Sequence, residues 1–128
     1  MSTQVETMNA QEVATRLVQL CREGKNVEAI NELYDDNAIS HEPEGSPAQS
    51  SNGKQAILND TNRWYSTVQE LHSAYISDPL VSDDFFACTM KIDATYKEHG
   101  RNEMNELCVY GVKDGKIVSQ QFFYNTGK

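Results

Sequence analysis

Basic residues are scarce in this chain of 128 residues: 11 Lys and Arg stand against 19 Asp and Glu, for a formal charge of −8. That balance repels a phosphate polymer or an anionic bilayer, so nucleic acid and membrane are excluded as main partners, and the charge serves solubility. Long hydrophobic runs are missing as well. No stretch approaches the roughly 20 apolar residues that span a bilayer, and the opening MSTQVETMNAQEVATRL has no basic region followed by an apolar one. A cytoplasmic protein is expected. Cysteine is limited to Cys21, Cys88 and Cys108, an odd number without CxxC spacing and each within an apolar-patterned segment. Buried thiols follow, rather than a disulfide or a zinc site. Phosphate-binding glycine motifs are absent, and so is a nucleophile, base and orienter set for acyl transfer.

What is present suits one domain with one core, since 38% of the residues are hydrophobic and 9% aromatic. Residues 1–8 read as a tail and 9–128 as the domain. Asn9 and Glu12 make a capping-box start for a helix carrying Val13, Leu17, Leu20 and Cys21 on one face, ended by Gly24. A shorter helix follows Asn26, with Val27, Ile30, Leu33 and Tyr34 at helical spacing. Ala38 to His41 alternates as a brief strand, and EPEGSPAQSSNG after it is a long loop or lid. Asn52 and Gln55 resemble a second cap, opening a helix whose inner face is Ile57, Thr61, Trp64 and Val68.

From Leu71 the pattern changes to period two, with strands expected at 71–81, 85–97, 101–113 and 116–125. The Asp114-Gly115 pair tolerates the positive φ angles of a tight hairpin. Helices followed by such a meander make an α+β fold, with three N-terminal helices packed on a curved antiparallel sheet. Three helices cannot fully cover four long strands, so a pocket is a natural by-product.

Four segments carry a family resemblance: ELYDDNAISHEP, NGKQAI, CVYGVKDGKIV and SQQFFYN. Together they resemble the nuclear transport factor 2-like superfamily, and within it the SnoaL-like polyketide cyclases and the ketosteroid isomerases. The resemblance implies a cystatin-like cone around a mostly apolar pocket, a homodimer formed through the outer sheet face, and no metal or organic cofactor. Enzymes, binding modules and non-catalytic dimer partners all use this fold, so a ligand-binding or dimerisation module stands beside the enzyme as an alternative.

In the isomerase relatives a catalytic Asp precedes a Pro at the end of the short strand, and Glu42 in SHEP holds the matching place. It could remove a proton α to a carbonyl if apolar walls raise its pKa. His41 could assist as acid or base, but strand neighbours face opposite ways, so it joins Glu42 only if the strand bends or ends there. The relatives' oxyanion donors correspond to Leu17 and Cys108, and neither is a competent donor. Glu106, two residues before Cys108 and on its face, could replace the missing acid.

Trp64 and Met90 are expected to line the interior with Cys108, an inert thiol. A regular hairpin would pair Cys108 with Gln121. The family instead places a bulge just after GKI, which turns Gln120, Phe122 and Tyr124 inward as ligand-binding groups. The expected ligand is a small apolar or aromatic molecule. On the alternative account, Phe123, Tyr110 and Val109 pack against a second subunit.

Overall fold

Asn9 begins the first helix as its spacing requires. The Asn9 side chain accepts the Glu12 backbone N–H at 2.9 Å, and Glu12 Oε1 accepts the Asn9 N–H at 3.0 Å, so two orphan donors are satisfied reciprocally. The computed structural model describes residues 7–46 and 50–125. Within it, α1 spans Ala10–Arg22, α2 Asn26–Leu33 and α3 Lys54–Thr67. The strands are β1 Tyr34–His41, β2 Ser51–Asn52, β3 Val68–Ile76, β4 Leu80–Ser82, β5 Phe85–Tyr96, β6 Gly100–Lys113 and β7 Lys116–Phe123. Most of the expected tail, residues 1–6, and part of the Ser/Pro loop, residues 47–49, lie outside the described residues. Met8, assigned to that tail, packs against the core.

The sheet runs β2-β1-β7-β6-β5-β3, with β4 continuing the β3 edge along β5. It is curved and mixed rather than wholly antiparallel, because β1 pairs with β7 in parallel. The direction of β7 is fixed by its hairpin with β6, and β1 approaches from α2 without a turn linking it to β7, which leaves a parallel partner possible. The expected strand at 71–81 is two strands, separated by Ser77 to Pro79. Two details of α3 also differ from expectation. Its N-cap is Gly53, at φ +97, with no side-chain cap, because Asn52 is committed to pairing with Ile39. Val68 begins β3 rather than closing the helix.

The β6–β7 hairpin turns at Asp114 and Gly115, both with positive φ (+51 and +76), the geometry of a tight hairpin that matches strand twist. A Cβ at Gly115 would come within 2.5 Å of the Thr7 methyl carbon, so the chain start and the turn are packed together. Beyond it, Val112 pairs with Ile117 but Gly111 with Ser119, which makes Val118 the extra residue of a bulge. That single insertion decides which face of β7 is interior. Gln120 is buried, and Phe122 follows on the same face.

Helices and sheet meet over Val13, Leu17, Ile30 and Leu33 on one side and Phe86, Cys108, Tyr110 and Ile117 on the other, all buried. Tyr110, expected on the account of a subunit interface to face outward, is interior. Its ring stacks on Phe86 with centroids 4.7 Å apart and planes 19° from parallel, because it shares the face of Cys108 two residues earlier. Among the described residues, no helix is long and apolar enough to cross a membrane.

Candidate functional site

Strand register turns the inner face into rows. Phe86 lies opposite Tyr110, Tyr110 opposite Gln120, and Gln120 beside Ser40; all four are buried. The next row places Cys88 opposite Cys108 and Cys108 opposite Phe122. A third sets Met90 opposite Glu106, and a fourth Ile92 opposite Met104. Accessibility rises along this series. The first row is sealed, whereas Phe122, Met90, Glu106, Ile92 and Met104 remain half-buried although they face inward. On α3 the same change occurs, from buried Ile57 to half-buried Leu58, Thr61 and Trp64. Burial is therefore complete around Phe86, Tyr110 and Cys108 and partial around Phe122, Met90 and Glu106.

The sealed row continues into a buried polar chain. Tyr34 Oη donates to Gln120 Oε1, and Gln120 Nε2 donates to Ser40 Oγ at 2.9 Å. Burial, with the neighbouring thiols, holds the Tyr34 phenol well above its ordinary pKa, so it stays a donor. Each polar atom is paired, as burial demands. Tyr34 and Ser40 were not among the sequence candidates. Ser40 could have been found two residues before Glu42 on the same strand face, but nothing local marks Tyr34, whose partner is 86 residues away.

Glu42 follows β1 directly and is half-buried at the rim. Tyr124 Oη donates to its Oε2 at 2.9 Å, and Ser46 Oγ lies 2.6 Å from Tyr124 Oη. Partial burial raises the Glu42 pKa, the Tyr124 hydrogen bond opposes this, and the charge of Asp60 adds to the rise. Glu106 lies further out on β6, where burial first and the charge of Glu42 second push its carboxyl up to about 7. The two acids are close enough for the charge of Glu42 to act on Glu106, and for each of them burial favours the uncharged form. Asp60 of α3 is occupied, accepting from Ser51 Oγ and from Arg63 Nη1 at 3.0 Å.

Of the other sequence candidates, Trp64, Met90, Gln120 and Phe122 face the interior. The Trp64 ring meets Tyr96 edge-on, with centroids 6.2 Å apart. The hydroxyl of Tyr124 is spent on Glu42 and Ser46. Cys108 is buried against Cys88, and the hydrogen bond between them together with burial drives its thiol pKa far upward, which makes it an inert wall. His41 is not brought into the group. It pairs with Gln121, which pairs with Val109, and it is exposed on the outer face, as strand alternation requires when Ser40 and Glu42 face inward. A separate surface groove of about 610 Å³ runs between α1 and Pro79, lined by Arg22 and Asp78 and away from these carboxyls. Among the described residues, no group of three or more His, Cys, Asp or Glu side chains is arranged to hold a metal ion.

A family model described as a SnoaL-like domain matches residues 8–124. None of the curated proteins of assigned function matches this sequence. Among solved structures, a candidate SnoaL-like polyketide cyclase from Mesorhizobium loti, whose name also carries the words carbohydrate phosphatase, is 33% identical, with a TM-score of 0.83 over 91% of this chain and 100% of its own. A candidate isomerase from Bacillus subtilis is 27% identical, with a TM-score of 0.65 over 91% and 86% of the two chains. IdmH, a candidate polyketide cyclase from Streptomyces antibioticus, shares the fold at 17% identity, with a TM-score of 0.69 over 92% and 93%.

Proposed function

The chain belongs to the SnoaL-like domain family, and from that premise we propose that it binds a small apolar or aromatic, carbonyl-bearing molecule in its half-open interior and performs cofactor-free acid–base chemistry on it. Isomerisation and intramolecular aldol cyclisation are the two reactions this chemistry serves. One observation carries the reading: Glu42 and Glu106 lie at the less buried end of an otherwise apolar inner face, near enough for the Glu42 charge to act on Glu106, and burial raises both carboxyls. Glu42, as carboxylate, takes the proton α to the carbonyl. Glu106, as carboxylic acid, donates to the carbonyl oxygen as negative charge develops there. It thereby supplies the donor that Leu17 and Cys108 cannot. The names of the 33% and 27% identical relatives, a cyclase and an isomerase, are of the same chemical kind. The three unpaired thiols suit a reducing cytoplasm.

A thermal-shift comparison of wild type and Glu42→Gln against aromatic polyketides, steroids, terpenoids and small keto acids tests this. A ligand at roughly 100 times its dissociation constant adds about 2.7 kcal/mol, a shift of several degrees in a domain of this size. The expected result is a hit whose shift changes in Glu42→Gln, and whose turnover falls about 10²- to 10⁴-fold in that variant. Silence across all four classes would favour the second reading, a non-catalytic module, which the empty oxyanion positions at Leu17 and Cys108 support.

Either way we propose a homodimer formed through the outer sheet face. Leu107 and Phe123 are paired neighbours there, 43% and 45% exposed, and Tyr75 is 58% exposed nearby. Contiguous apolar surface of this kind marks an interface. Sedimentation equilibrium is expected to give twice the chain mass for wild type and a monomer for Leu107→Lys; a monomeric wild type overturns the dimer.

A further inference from the structure

Two neighbouring acids can divide the roles of acid and base only if the protein decides which of them keeps its proton. We propose that Tyr124 is the positioning residue that makes this choice, its hydroxyl holding Glu42 as the charged partner and leaving the proton on Glu106. The inference rests on the acid–base reading above and assigns its two roles.

The geometry is asymmetric. Glu42 Oε2 accepts a hydrogen bond from the Tyr124 hydroxyl at 2.9 Å, and that hydroxyl is in turn held by Ser46 Oγ at 2.6 Å, so the donor has little freedom to turn away. A hydrogen bond to an ionised acceptor is about twice as strong as a neutral one. Glu106 accepts no hydrogen bond among the described residues. Its cross-strand neighbour is Met90, and its nearest ionisable surroundings are Glu42, Tyr96, Tyr124 and the thiols of Cys88 and Cys108, none of which offers a positive charge.

The groups facing Glu42 from each side bear out the importance of that one donor. From α3 comes Asp60, a like charge partly answered by Arg63 and Ser51. From β6 comes Glu106, and from the loop come Ser46 and Ser50, the latter accepting only the Glu42 backbone N–H at 3.4 Å. His41 sits on the opposite face. Burial and the charge of Asp60 therefore push Glu42 toward the protonated form, and the Tyr124 hydroxyl opposes them. Removing it lets Glu42 compete with Glu106 for the proton. Tyr124 need not touch a ligand to matter; it acts through Glu42.

The test is a carbon-13 NMR titration of the glutamate carboxyl carbons in the unliganded protein from about pH 3 to about pH 9, with Glu42→Gln and Glu106→Gln used to assign the two signals. In wild type, Glu42 is expected to titrate below Glu106. In Tyr124→Phe, which keeps the ring, the Glu42 midpoint should rise toward that of Glu106 while the Glu106 midpoint falls, because a neutral Glu42 no longer repels its charge. Ser46→Ala should move both in the same directions by less, and it carries the test alone if Tyr124→Phe does not fold. Glu42 titrating above Glu106 in wild type, or holding its midpoint in the folded variants, overturns the proposal. Because no ligand enters the titration, failure to find a substrate leaves this result intact, and an overturned titration leaves the ligand screen to be judged alone.

Discussion

Glu106→Gln is expected to make the protein more stable than wild type at about pH 8, and no more stable at about pH 4.5. In the folded chain the Glu106 carboxyl is pushed up to about 7 by burial and by Glu42, whereas its ordinary value is 4.5. A raised carboxyl works opposite to a salt-bridged one. Above about 7 it is ionised in both states, and the folded state bears the full penalty of a buried charge. As pH falls from there to 4.5, the folded chain takes up the proton before the unfolded chain does, so stability rises until the penalty is gone. The gap between the two values corresponds to roughly 3 kcal/mol as an upper bound.

Glutamine keeps the shape and removes the charge, so Glu106→Gln should gain up to about 3 kcal/mol near pH 8 and flatten the dependence between about 4.5 and 7. Urea unfolding of both proteins at several pH values reads this directly. Glu42, also raised, contributes in the same direction. Asp93 and Glu32, lowered by hydrogen bonds from Arg101 and Arg16, have the opposite sign and act below this window. Equal pH slopes for wild type and Glu106→Gln would mean that the Glu106 carboxyl is solvated, and the acid role assigned to it would fall. The expected gain also has a functional sense: a side chain that destabilises its own fold at working pH is what a stability–activity trade-off leaves at a site.

The parts of this fold legible in the sequence are those fixed by neighbours in the chain. The Asn9–Glu12 cap is made within four residues, and the Asp114-Gly115 turn within two. The inner face of β5, Phe86 through Ile92, follows from alternation alone. Features fixed by distant contacts were less accessible. The parallel β1–β7 pairing joins segments some 80 residues apart in sequence, and Asn52 gave up its capping role to that sheet edge. The bulge at Val118 has no local signal strong enough to displace a regular hairpin; the family resemblance supplied it, and it moves Gln120 rather than Gln121 inside. For the site, Glu42 came from the family resemblance at the Pro43 boundary and Glu106 from strand parity with Cys108, and parity already argued against His41 joining Glu42. What parity could not provide was the donor. That Tyr124 would spend its hydroxyl on Glu42, rather than on a ligand, depends on where the chain goes after β7 ends.

How tightly the row of Met90 and Glu106 is packed can be decided by two substitutions four residues apart on one strand face. Phe86→Ala is expected to cost about 3–5 kcal/mol, the usual loss for a large buried ring. Phe86 is 1% exposed and stacked on Tyr110, and α1 and α2 close over that end of the core. Met90→Ala should cost distinctly less, about 1–2 kcal/mol, because Met90 is only half-buried, between buried Ile76 on one side and half-buried Glu106 on the other. Burial alone would rank the pair this way, so the informative quantity is the second value. If Met90→Ala cost as much as Phe86→Ala, the row of Met90 and Glu106 would be packed as tightly as the sealed end, a buried Glu106 would have no ligand to meet, and the chain would be a structural module of its family. If the costs separate as expected, the Met90 row is loosely enough packed for a ligand to enter beside it. A ligand occupying that space would then rescue Met90→Ala by less than it stabilises wild type, since the alanine gives up part of the wall the ligand needs.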